Sequence, residues 1–240
     1  MPFPLAHPAA VLPLRRYCPR WLNFPALVIG SLVPDLSYCI GVGGLDGFAH
    51  GFLGSFGFDL PAGLAALWLF YQLRTPVVRH LPKRFRKLFL PLCEGPAGPV
   101  WSMVVSILAG SWTHIAVDSV SHRDGWLVVQ MPMLRESIGL FFGHEMTIYQ
   151  ILWFAFTFAG VAWLSLAYLK WLKGTTGTAH LGSGAVCAGY AVLMGILTVS
   201  LGLVHRLVHN PLQLYPIIAG MVLLAAGFVV GVGIRLDNDE

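Results

Sequence analysis

Long apolar runs, broken by short polar clusters, make up most of this chain. Windows of about twenty residues, the length a helix needs to cross a bilayer, pick out six runs: 22–42, 52–73, 100–120, 148–172, 183–204 and 214–234. Residues 1–14 are apolar too, but prolines at 2, 4, 8 and 13 break them. They are too short to span and predict a half-helix dipping into the bilayer, tolerable only where other helices cover its loose backbone. Positive charges follow this run instead of preceding it, which is the wrong order for a signal peptide. The pattern therefore predicts an all-α fold, a polytopic membrane helix bundle of about six transmembrane helices plus an N-terminal half-helix.

Composition agrees with the pattern. Of 240 residues, 56% are hydrophobic and only 11% are charged, against about 25% charged in an ordinary soluble domain. There is too little polar side chain to cover a soluble globule. No solenoid-type repeat is visible. The reading is one integral-membrane domain, 1–240, in three stretches: the half-helix with two spans (1–73), a basic loop ending in "EGPAGP" (74–99), and a four-span remainder (100–240). The four cysteines (18, 39, 93, 187) are scattered without a C-x-x-C pair and suggest packing residues instead of a zinc ribbon or disulfide framework.

Charge distribution sets an expected orientation. Twelve of the fifteen Lys and Arg residues precede the first span or follow the second, fourth and sixth. Only Arg123, Arg135 and Arg206 lie on the opposite side. The positive-inside rule makes the twelve cytoplasmic and predicts a multi-pass plasma membrane protein with basic cytoplasmic loops. Basic loops facing anionic lipid account for the net charge of +4, so no nucleic acid partner is needed.

The polar residues inside the apolar runs carry the chemistry. His114, Asp118 and His122 recur every four residues and so lie along one side of a helix. His114 and Asp118 are about 6 Å apart along the axis, and His114 and His122 about 12 Å. One ion with bonds near 2.1 Å takes an adjacent pair but hardly both ends. His122 is thus a ligand of a second ion, an outer-shell group or a general acid/base. Asp35 sits inside a span, where an unpaired carboxylate costs several kcal/mol. The plain alternative is a protonated Asp bonded to helix backbone. Two buried carboxylates among histidines, with no buried Lys or Arg nearby, are most simply neutralised by a divalent cation. His and Asp without Cys favour zinc, with manganese or iron as alternatives. His7 on the half-helix reaches about mid-membrane, and the break expected at Pro34 is what would bring Asp35 near it. "HRLVH" (His205, His209) and "GHE" (His144) are weaker and fit interfacial residues.

The stretches "MPFPLAHPAAVLPLRR", "PALVIGSLVPDLSY", "HGFLGS" and "SHRDGW" resemble a bacterial family of membrane proteins, domain of unknown function 4184. The order His, Asp, His, His-x-x-x-Asp also resembles inner-membrane metal-dependent hydrolases, zinc-dependent phospholipase C and related single-strand nucleases. That likeness implies metal ligation by His7, Asp35, His50, His114 and Asp118, and metal-activated attack of water on a phosphoester. The later His-x-x-x-Glu pair of the soluble enzymes is missing, since Glu145 directly follows His144. At most two ions are therefore expected. The expected function is metal-dependent hydrolysis of an ester or phosphoester at the outer leaflet, with a lipid or lipid-linked substrate and with His122 or Asp124 moving the proton. Rival readings are a cation or proton transporter and a non-catalytic metal-stabilised scaffold.

Overall fold

The computed structural model describes residues 4–40, 42–81, 83–141 and 144–176. The fifth and sixth expected spans, with Cys187, His180, His205 and His209, lie outside the described residues. The N-terminal piece is a series of short turns: a 3-10 turn Pro4–Ala6, helix α1 (Pro8–Val11) and a second 3-10 turn Leu12–Tyr17. Closely spaced prolines withhold the N–H groups a long helix would need.

Residues 22–42 do not form one continuous helix. They fold as α2 (Phe24–Gly30) and α3 (Val33–Ile40), each too short to cross a bilayer. Asn23 starts α2 by accepting the Ala26 N–H at 2.9 Å, the side-chain cap that satisfies a free donor at a helix start. The break follows from Pro34, whose missing N–H removes the helical partner of the Gly30 carbonyl. Ser31, at the break, donates its hydroxyl back to the Val28 carbonyl at 2.8 Å.

After α4 (Leu45–Ala49) comes a continuous helical run, Phe52–Arg79, built of α5 (Phe52–Gly54), a π-helical turn Ser55–Asp59 and α6 (Leu60–Arg79). Next are α7 (Lys83–Cys93), α8 (Val100–Ser121), α9 (Trp126–Gln130) and α10 (Ile148–Thr176). Among the described residues, three segments are long and apolar enough to cross a membrane: Phe52–Arg79, Val100–Gln130 and Ile148–Trp171. The fold is not purely helical. Between α9 and α10, strands β1 (Ser137–Phe141) and β2 (His144–Thr147) pair antiparallel.

The described residues fall in two compact units, one from 4–64 and 99–169 and the other from 65–98 and 170–176. In the first, α2 and α8 meet backbone to backbone. A methyl group at Gly30 would collide with the Ile107 carbonyl, and one at Gly110 with the Leu27 carbonyl. Small residues permit such approach in lipid, where dispersion contacts have to replace the hydrophobic effect as the force between helices. Ala6, Ala9 and Val11 are buried, and Gly160 lets α10 close on the Ala6 backbone. The N-terminal turns are thereby held in the unit that contains the histidines and carboxylates. In the second unit, the segment after α7 is tied to α6. Arg74 donates to the Gly95 carbonyl at 2.6 Å and Tyr71 to the Ala97 carbonyl at 3.3 Å.

Candidate metal centre

Four elements bring the centre together. Asp35 lies in the first turn of α3, just past the break. His50 ends α4, and His114 and Asp118 lie one turn apart on α8. One donor atom from each of these four lies within 4.8 Å of every other. His7 precedes α1, is buried, and stacks its ring on that of His114 at 3.7 Å.

The spacing of the donors is informative. His50 Nε2 is 3.4 Å from Asp35 Oδ1 and 3.5 Å from Asp118 Oδ2. His114 Nε2 is 3.4 Å from Asp35 Oδ1 and 3.2 Å from Asp118 Oδ2. Three of these separations exceed the usual 2.7–3.2 Å of N–H···O bonds and the fourth stands at its upper limit, and the carboxylate oxygens and both Nε2 atoms are buried without a hydrogen-bond partner. Four ligands at about 2.1 Å around a tetrahedral ion stand about 3.4 Å from one another. The residues therefore fit a divalent cation better than they fit each other.

The other ring nitrogens are latched. His114 Nδ1 lies 2.8 Å from the Ser31 carbonyl oxygen, and His50 Nδ1 lies 2.8 Å from that of Asp46. A carbonyl accepts only from a protonated nitrogen, so each latch leaves Nε2 as the bare donor facing the carboxylates. Metal-binding histidines are commonly oriented by such outer contacts. Helix α2 stops at Ser31, which leaves that carbonyl facing α8 across the close crossing at Gly30 and Gly110.

Asp118 looks two ways. Its Oδ2 faces His50 and His114, while Oδ1 lies 3.6 Å from His7 Nε2 and 3.5 Å from His122 Nδ1. His122 caps α8 in an extended conformation, so its ring folds back over the last turn. Its Nδ1 is 3.2 Å from the Asp118 carbonyl and its Nε2 is buried without a partner. His7 lies within electrostatic reach of Asp35, as expected, while its direct contact is with Asp118. The break places Asp35 against His50 and His114. Asp124 is exposed on the turn after α8 and stands apart from the four-residue group.

One buried carboxylate was missed in the sequence. Asp59 is fully buried on the π turn, accepts the Ser111 hydroxyl on Oδ2 and leaves Oδ1 without a partner. Ser111 precedes His114 by one turn of α8. The signal was present, since an Asp inside "FLGSFGFDLPAGLAALWLF" needs a reason to be in a span.

Fold and site together define a helical protein with membrane-length segments and a buried His/Asp centre able to hold a metal ion. The profile of a family described as Domain of unknown function (DUF4184) matches residues 1–234, and the chain belongs to that family. No curated protein and no solved structure matches it.

Proposed function

We propose that this protein is a metal-dependent hydrolase of the bacterial inner membrane, acting on an ester or phosphoester at the outer leaflet. One observation carries the reading: four latched or buried donors spaced at ligand distance with no hydrogen bonds among them. Asp35, His50, His114 and Asp118 Oδ2 would hold one divalent ion, with zinc the best match to a His/Asp set of this size. His7 Nε2 and Asp118 Oδ1 face a second position with fewer protein ligands, and positions left open in this way distinguish catalytic from structural zinc sites. Such ions supply a hydroxide nucleophile near neutral pH and polarise the attacked oxygen.

The chain's own residues do the rest. Asp118 would offer one oxygen to each position. His122, whose Nδ1 faces Asp118 and whose Nε2 is buried and unpartnered, would take up the proton released from water. The centre lies at helix ends, with His50 just ahead of Phe52 and His122 capping α8. A lipid or lipid-linked substrate would thus present its headgroup without entering the hydrocarbon.

The test uses the detergent-purified protein from zinc-supplemented medium. Metal per chain is measured by mass spectrometry, and turnover on a nitrophenyl phosphodiester and on a phospholipid. The wild type should hold one or two ions and turn over at least one substrate. His122→Ala should keep at least one ion and lose turnover. Stoichiometric metal without turnover on either substrate would leave a metal-stabilised scaffold, and zinc uptake into proteoliposomes would point to transport. A wild type without metal would remove the reading.

A further inference from the structure

We propose that α7 is an in-plane anchor that binds anionic phospholipid headgroups at the basic end of the Phe52–Arg79 span, independently of the metal centre. The helix reads "KRFRKLFLPLC". At 100° per residue, Lys83, Arg86 and Lys87 fall on one side and Phe85, Leu88, Phe89 and Leu92 on the other. Basic residues on one face and bulky apolar residues on the opposite face are the pattern of helices lying in the membrane interface. Between residues 74 and 98 there are six Lys or Arg and one acidic residue, Glu94.

The surrounding contacts hold α7 at the level of the span end. It begins four residues after α6 ends at Arg79. The chain beyond it returns to α6, where Arg74 holds Gly95 and Tyr71 holds Ala97. Both ends of α7 are therefore fixed near the last two turns of α6, and the helix cannot extend away from the bilayer. Part of its apolar face is covered, since Phe89 stacks on Trp171 at 5.5 Å and on Phe85 at 6.3 Å. Leu92 remains 59% exposed. Lys83 and Lys87 are exposed as well. An apolar strip beside exposed ammonium groups, at the boundary of a membrane-length helix, matches the acyl–headgroup boundary of an acidic lipid. Each basic residue close to such a surface strengthens binding about fivefold.

The experiment uses the full chain purified in a neutral detergent and titrated with dioctanoyl phosphatidylglycerol, dioctanoyl phosphatidylcholine and inorganic phosphate by thermophoresis. Phosphatidylglycerol should bind and phosphatidylcholine should not, and inorganic phosphate should compete only weakly. The triple variant Lys83→Gln/Arg86→Gln/Lys87→Gln should bind phosphatidylglycerol roughly a hundredfold more weakly, and raising salt to about 1 M should do the same to the wild type. Should the triple variant aggregate on size exclusion, Lys87→Gln alone decides, with an expected loss of about fivefold. Equal binding of both lipids, wild-type affinity in the variants, or full displacement by inorganic phosphate would overturn the proposal. Metal content is read in the same samples. Unchanged metal with lost lipid binding separates this anchor from the hydrolase reading.

Discussion

Asp118→Asn removes one negative charge while keeping the shape of the side chain. In the native centre, Oδ2 lies 3.2 Å from His114 Nε2 and 3.5 Å from His50 Nε2, while Oδ1 faces His7 and His122. An amide can give only one oxygen to these partners, and its NH2 would point at nitrogens or at the cation. Removing one member of a buried, compensated charge set costs about 3–5 kcal/mol. At about 1.4 kcal/mol per tenfold, zinc affinity should fall by roughly two to three and a half orders of magnitude. The metal-free protein should fold and insert normally, with a melting temperature equal to or above that of the metal-free wild type, because a buried charge has gone. Chelator competition measures the affinity, and melting with and without zinc measures the stability. Wild-type zinc affinity in Asp118→Asn would refute the reasoning. So would a wild type that gains no stability from zinc while the variant melts higher.

Gly110→Ala should damage the centre from outside it. The new methyl meets the Leu27 carbonyl and lies 2.7 Å from the Ser31 N atom, so α2 and α8 must part and the His114–Ser31 latch must lengthen. Stability should drop by about 1–3 kcal/mol with loss of zinc, whereas Gly95→Ala, which points into open space, should change neither quantity. Topology is checked by single cysteines in whole cells lacking the native ones. An impermeant reagent should label Ser137→Cys and spare Thr176→Cys, and the reverse pattern would remove the outer-leaflet mechanism.

Much of the centre was legible because hydrocarbon makes polar residues conspicuous. Asp35, His114 and Asp118 stand out in apolar runs whatever their partners, and Pro34 announced the break that aims Asp35. Which atoms meet was not legible. His7 meets Asp118 directly, besides lying near Asp35, because α1 packs across α8, a tertiary relation that local spacing does not encode. The range 22–42 looked like a span because mean apolarity is blind to helix continuity, and Pro34 ends continuity without lowering apolarity. Asp59 escaped because a single carboxylate hardly changes a twenty-residue average, and its partner Ser111 is 52 residues away. The latches could not be foreseen either, since their acceptors are backbone carbonyls, which every residue has.

The π turn at Ser55–Asp59 also acts on everything after it. A turn closed by i→i+5 bonds holds one residue more than an α turn, and one residue is roughly 100° of rotation. Winding the same residues as an ordinary α turn, with none removed, would re-phase Leu60–Arg79 by that angle against the helix that precedes it. Asp59 would swing away from Ser111, and the face that the helix turns to its neighbours would shift by the same angle. The winding of this one turn therefore sets the rotational phase of the helix beyond it.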